Sequence, residues 1–439
     1  MIVYQILPRL WGNGRFSGID DESLDYFKRL GVTHIWYTGI IKHSTGKPFV
    51  KGDPGSPYAI SNYYDINEYL ADNIDNRISE FEDLIKRTHE RGLKVIIDFV
   101  PNHTGCDYAD SHGGIPNCGH YDYDWSDTLK IDYSHPDTWD AMFRILKFWA
   151  GKGVDGFRCD MAELVPPDFF KWLIDRIKTA FPEIVFIAEV YQKERYREYV
   201  ELVGFNYLYD KSGLYDILRG IAAGYGSAKG ITWNWQYLQD LQPYMLNFLE
   251  NHDEQRIASK WFTGRKDNFA YVGASLLFNT APFMLYFGQE IGIDASEGHE
   301  GRTSIFNWAR PDGLQRLNAC IHKKSRLLPE EQALLKRYGT LLTLAGQRII
   351  TDGQTYDLCY CLDSERGFNP EKHFAFLRHY DQKTMLFICN FDSGEASMSI
   401  SIPQHAVDFL NLEPAMAGTK FDVNVPAFDL AVITLQEPV

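Results

Sequence analysis

Gly156-Phe157-Arg158-Cys159-Asp160-Met161-Ala162-Glu163 is the stretch from which the fold is read. It follows Lys152-Gly153-Val154-Asp155, a break after a helix-like run, and so reads as a short buried strand entering a loop. Side chains alternate along a strand, so Gly156, Arg158 and Asp160 share one face and Phe157 and Cys159 the other. An arginine two residues before an aspartate on the same face keeps that carboxylate ionised at neutral pH. An ionised carboxylate at a strand end is a nucleophile in need of an acid partner. The same pair also suits a purely structural role inside a barrel, and the stretch alone does not choose.

Outward from this stretch, apolar strand-like runs alternate with amphipathic helix-like runs. Strands are expected at Ile2–Leu7, Thr33–Thr38, Lys94–Phe99, Gly156–Asp160, Val185–Glu189, Phe205–Tyr209, Met245–Glu250 and Pro282–Phe287. Between them Glu22–Leu30, Arg77–Arg91, Thr138–Ala150, Asp168–Phe181, Arg195–Val203, Leu214–Ala223 and Asn268–Asn279 carry apolar residues at three- and four-residue spacing. Eight strands with helices between them predict a (β/α)8 barrel of the TIM type. A doubly wound sheet would carry a Gly-rich phosphate loop after an early strand, and none is present.

Two long departures interrupt the alternation. Ile40–Glu68 is rich in Gly, Pro, Ser, Asn and Tyr, and Thr104–Ser134 in Gly, His, Asp and Tyr. Both read as loops over one face, of the kind that carries binding residues. After helical runs over Gln315–Tyr338, the stretches His373–His379, Met385–Phe391, Ala396–Ile402 and Ala431–Leu435 alternate like antiparallel strands. The expected division is a barrel over 1–103 and 135–345, a short inserted loop domain over 104–134 after strand three, and a C-terminal antiparallel β-sandwich over 346–439.

The chain has 439 residues, a net charge of −15 and 45% hydrophobic residues without a long apolar run. That argues against a membrane span and against a nucleic-acid or anionic-membrane surface. The aromatic share of 15% supplies rings that serve either as core or as sugar-stacking platforms, Trp233 and Trp235 among them. Seven cysteines are too few and too scattered for a disulfide framework, although Cys106 and Cys118 are spaced to close a loop. Cys359 and Cys361 fall on an expected strand, facing opposite ways. The N-terminus carries no charged and apolar leader, so a cytoplasmic protein is expected.

In a (β/α)8 enzyme the active site forms at the C-terminal strand ends. Strand three ends in Asp98-Phe99-Val100-Pro101-Asn102-His103, strand four in Asp160, strand five in Ala188-Glu189-Val190-Tyr191, and strand seven in Glu250-Asn251-His252-Asp253. One rim thus collects Asp160, Glu189 and Asp253 with His103 and His252 beside them. Paired carboxylates there point to glycoside hydrolysis, one attacking the anomeric carbon and one protonating the leaving oxygen. The apolar run Phe186-Ile187-Ala188 should raise the pKa of Glu189, and Arg158 should push that of Asp160 the other way.

These four stretches, in this order and on these strands, resemble the four signature regions of the α-amylase family, glycoside hydrolase family 13. The resemblance implies a retaining enzyme acting on α-glucosidic bonds, most naturally α-1,4 bonds of malto-oligosaccharides. It implies Asp160 as nucleophile, Glu189 as acid/base and Asp253 as transition-state stabiliser. Arg158, His103 and His252 would hold the sugar and orient the carboxylates, with Asp98 a structural partner of Arg158. Ser56-Pro57-Tyr58-Ala59-Ile60 resembles the segment whose tyrosine, here Tyr58, stacks on the sugar being cleaved. Gly288-Gln289-Glu290 resembles a structural turn after the last strand.

Two departures matter. Many α-amylases carry a Lys-His pair soon after the nucleophile, where this chain has Glu163 and Leu164. The loop after strand three is also short. In calcium-dependent members it supplies ligands beside an asparagine matching Asn102, but Asp107, Asp110, Asp122, Asp124 and Asp132 do not have the spacing of a calcium loop. No obligatory cofactor or metal is therefore expected, calcium being the one ion the resemblance raises. The alternatives are a glucanotransferase or trehalose-synthase-like isomerase with the same residues, or a non-catalytic carbohydrate-binding relative, which tends to lack one of the three carboxylates.

Overall fold

The computed structural model describes residues 1–109, 114–120, 122–296, 298–362 and 367–435. In chain order the strands are Ile2–Ile6 (β1), His34–Tyr37 (β2), Ile41–His43 (β3), Ile60–Ile66 (β4), Lys94–Phe99 (β5), His103–Gly105 (β6), Thr128–Lys130 (β7), Gly156–Cys159 (β8), Val185–Ala188 (β9), Tyr207–Tyr209 (β10), Met245–Phe248 (β11) and Phe283–Tyr286 (β12). Eight of them, β1, β2, β5, β8, β9, β10, β11 and β12, close into a parallel barrel in that order. Their side chains are almost all buried, as a sheet wrapped by helices requires. The expected (β/α)8 fold is therefore present.

The surrounding helices form where the apolar spacing places them. Asp21–Arg29 (α1) begins at Asp20, whose carboxylate accepts from the Ser23 amide, and it buries Leu24 and Phe27. Arg77–Glu90 (α2), Pro136–Gly151 (α3) and Pro167–Ala180 (α4) follow their strands, the last two with proline in the first turn. The regular spacing over 195–223 hides irregular backbone. Glu198–Val203 and Lys211–Tyr215 are wide π turns, the second leading into a short helix at Asp216–Ala222 (α5).

The long departures are more ordered than their composition predicts. Ile41–His43 and Ile60–Ile66 pair antiparallel, and His103–Gly105 pairs with Thr128–Lys130. Asp110 lies outside the described residues. Cys106 and Cys118 do not bridge: all seven cysteines are free thiols. Cys359 and Cys361 sit on a single 3-10 turn rather than on a strand.

Beyond the barrel, Gln354–Asp357 (β13), His373–Tyr380 (β14), Lys383–Asn390 (β15) and Leu430–Leu435 (β18) form one antiparallel sheet, and Ala396–Ser401 (β16) pairs with Lys420–Val425 (β17). Phe278 of the barrel packs its ring on Phe374 and Phe376, at 4.8 and 5.1 Å. Arg378 is buried and donates to the carbonyls of Phe278, Ile349, Ile350 and Gly353, which ties this sheet to the chain between it and the barrel. No helix among the described residues is long and apolar enough to cross a membrane.

Candidate active site

Register brings the first two carboxylates together. Asp98 pairs with Arg158 across β5 and β8, and Cys159 pairs with Ala188 across β8 and β9. The ladder continues one residue further: the Asp160 amide donates to the Phe99 carbonyl and the Glu189 amide to that of Cys159. Asp160 and Glu189 are thus next to each other on strands about 4.8 Å apart, both pointing out of the barrel mouth. The Asp160 carboxyl has Glu189 within hydrogen-bonding reach.

Arg158 lies beneath them with its side chain fully enclosed. Its Nη1 donates to Asp160 Oδ1 at 2.6 Å, Nη2 stands 2.8 Å from Glu189 Oε2, and Asp98 Oδ1 is 3.7 Å away. Nε donates to the Tyr209 hydroxyl, and the guanidinium faces the rings of Trp36, Tyr58 and Tyr209. Arg158 therefore orients the carboxylates from below and is out of reach of the cleft. Asp98 accepts from Trp36 Nε1, the Gly39 amide and the Tyr58 hydroxyl, as a structural partner should.

Burial decides the titration here. It pushes Asp98 up to about 7 and raises Glu189 as the apolar run before it predicts. Asp160 was expected below the ordinary carboxylate range. Instead its pKa is also raised, because burial outweighs the attraction and hydrogen bond of Arg158. Asp253, confined beside Glu189 and Asp160, is raised well above the ordinary range although 43% of its side chain opens to the cleft. Burial thus raises all three carboxyls, Asp160, Glu189 and Asp253. Asp160, with the direct 2.6 Å bond, is the best compensated of them.

The aromatic side of the site is a stack. The Tyr58 ring lies on His252, with centroids 5.2 Å apart, and its hydroxyl meets His252 Nε2 at 2.5 Å. Gln5 Nε2 donates to His252 Nδ1 at 2.8 Å, which leaves the proton of the neutral ring on Nε2, facing Tyr58 and Asp253. Burial holds His252 well below its usual pKa and His103 down to about 4, so both are neutral. His103 leans on Trp125 at 5.3 Å.

A cavity of about 350 Å³ opens above this floor, lined by Tyr58, His103, Asp160, Glu189, Tyr191 and Asp253. That volume lies at the small end of ligand clefts. The two other expected binding residues, Arg158 and His252, stand behind its wall. Several contributors carried no signal in the sequence. Gln5 reaches His252 from the far end of the chain. Lys51, Trp125 and Phe306 edge the cleft. Met161 adopts a left-handed backbone, φ 44°, and so aims its amide at Glu189 Oε2, 2.9 Å away. The other aromatic and turn candidates divide. Trp235 packs on Phe278 at 4.8 Å, Trp233 is exposed, and Glu290 is a buried acceptor for Tyr4 and Tyr26.

Beside Asn102 the described carboxylates meet protein donors. Asn102 turns its amide nitrogen toward Asp122 Oδ2 at 3.0 Å, and Lys130 Nζ neutralises the same carboxylate at 3.0 Å. Asp132 accepts from Ser134, and Asp107 from Ser44. Among the described residues one trio has metal-like spacing, Asp20, Glu22 and His322. It lies at α1, and His322 already pairs with Asp20 at 2.6 Å.

Residues 8–125 match the family described as "Alpha amylase, catalytic domain". The chain is 25% identical over 352 residues to α-amylase 3 of Dictyoglomus thermophilum, a match covering 70% of this chain and 67% of that protein. It is 24% identical over 424 residues to a cyclomaltodextrinase of a Bacillus species, covering 88% and 67%. The crystal structure of a noncanonic maltogenic α-amylase, AmyB from Thermotoga neapolitana, superposes with a TM-score of 0.70 at 23% identity, covering 99% and 96% of the two chains. The last likeness bears on the fold alone.

Proposed function

Since the chain belongs to the α-amylase family, we propose that it is a retaining glycoside hydrolase acting on α-glucosidic bonds, most naturally α-1,4 bonds in malto-oligosaccharides. The observation that carries this reading is the pairing of Asp160 and Glu189 at adjoining strand ends over one guanidinium. A pair that close suits double displacement and leaves no space for the attacking water of an inverting enzyme. Asp160 attacks the anomeric carbon while Glu189 gives its proton to the departing oxygen. Glu189, now a carboxylate, then takes a proton from water, whose oxygen displaces Asp160. Asp253 accepts from a sugar hydroxyl and steadies the positive charge that develops on the ring. Tyr58 supports the sugar from below, and His103 donates from the side.

Proton NMR of the first product from maltotriose tests the mechanism. An initial α-anomer is expected, and an initial β-anomer would overturn it. Chromatography of the same mixture separates the hydrolase from the transferase reading. Glucose and maltose alone mean water is the acceptor, and longer oligosaccharides mean a sugar is.

No metal has a part in this reading, since Lys130 stands against Asp122. Activity and Tm are expected to be unchanged after exhaustive dialysis against EDTA. A loss of both that calcium restores would show that the carboxylates after β5 bind the ion after all. Seven free thiols favour a reducing, cytoplasmic setting, and the charge of −15 favours a neutral substrate over nucleic acid or membrane.

A further inference from the structure

Glu163 and Tyr191 have no part in the mechanism above, yet both connect to Glu189. The two oxygens of Glu189 face different partners. Oε2 accepts from the Met161 amide at 2.9 Å and looks at Arg158 Nη2 at 2.8 Å. An oxygen that accepts from an amide and lies in an ion pair with a guanidinium does not carry a proton, so the proton of the acid form belongs on Oε1. Oε1 accepts from the Tyr191 hydroxyl at 2.5 Å. The Tyr191 ring borders the cleft, so the bond lies at its edge. Behind Tyr191, one oxygen of Glu163 accepts from the backbone amides of both Tyr191 and Gln192, at 2.9 and 3.0 Å. Glu163 thus fastens the loop after β9 to the loop after β8.

We propose that Tyr191 is the positioning residue of the acid/base, holding through its hydroxyl the oxygen of Glu189 that carries the transferred proton, and that Glu163 holds Tyr191 in place. The inference rests on Glu189 being the acid/base. When Glu189 releases its proton to the leaving oxygen, Oε1 becomes anionic and the Tyr191 bond becomes charge-assisted. The bond therefore strengthens along the reaction, as transition-state stabilisation requires. The other charged or titratable groups facing Glu189 are Arg158 and Asp160 on β8, Tyr209 on β10, Asp253 after β11 and His103 after β5. Of these, Asp160 is itself within hydrogen-bonding reach of Glu189.

Tyr191→Phe keeps the ring and removes the bond. The value of kcat/KM on maltotriose is expected to fall by about tenfold to a hundredfold, the worth of a hydrogen bond to a charged group. On an aryl α-maltoside, whose leaving group needs little protonation, the fall should be several times smaller. The alkaline limb of the kcat/KM profile should move to higher pH, because losing a donor to the carboxylate favours protonated Glu189. Glu163→Ala should give the same two signatures in weaker form. Equal losses on both substrates with an unmoved alkaline limb would reduce Tyr191 to a wall of the cleft. An unaffected Glu163→Ala would remove Glu163 from the device. Full activity in Glu189→Gln would instead overturn the acid/base assignment itself, a result distinct from either.

Discussion

Asp160→Asn is expected to remove turnover and leave the fold intact. The amide has the shape of the carboxylate and keeps an oxygen for Arg158 Nη1, which donates to Asp160 at 2.6 Å. It cannot displace the leaving group to form a glycosyl ester. Loss of a nucleophile that acts as part of a unit costs on the order of 10⁶ in kcat. Stability should hold or rise, because Asp160 stands beside Glu189 and Asp253, and removing one negative charge relieves their repulsion. Turnover of maltotriose and a thermal melt of the same preparation are the two measurements. More than a few per cent of wild-type kcat with an unchanged Tm would take Asp160 out of the nucleophile's role.

The features legible in the sequence are those set by local spacing. Alternation along Gly156–Cys159 places Arg158 and Asp160 on one face, and the strand ends place Asp160, Glu189 and Asp253 on one rim. What escaped depends on groups distant in sequence or on summed burial. Gln5 fixes the His252 tautomer across 247 residues, and no local pattern signals such a contact. The left-handed turn at Met161 carries no glycine to announce it. The pKa of Asp160 depends on how much protein surrounds it, and a neighbouring arginine alone gives the wrong direction. Arg158 reads in the sequence as holding the sugar and orienting the carboxylates, and its burial leaves it the second part, because spacing gives its face of the strand and not its depth. The Gly- and Pro-rich composition of 40–68 concealed the pairing of β3 with β4, in which a register shift absorbs the irregular residues.

The depth of Arg158 makes it the second residue whose loss should be severe. Its guanidinium is the countercharge for Asp160 and Glu189 directly and for Asp98 at 3.7 Å, all of them buried. Arg158→Met fills the space with an apolar chain and leaves those carboxylates uncompensated, which typically costs about 3–5 kcal/mol. Activity should vanish with it, because Asp160 would hold its proton and lose its orientation. The loss of stability should depend on pH. A buried carboxyl with a raised pKa binds more protons in the folded chain than in the unfolded one, so stability falls as pH rises through that interval. For Asp98 in the native protein the interval runs from the ordinary carboxylate range up to about 7. Without Arg158 it extends higher, as do the intervals of Asp160 and Glu189, which burial already raises. Urea denaturation of both proteins at pH 5 and pH 8 should show a deficit that widens at pH 8. Arg158→Lys restores one positive charge but cannot fork two carboxylates, so it should recover part of the stability and little of the activity. A deficit equal at both pH values, or a methionine variant with ordinary turnover, would mean that Arg158 is packing and not the countercharge around which the site is built.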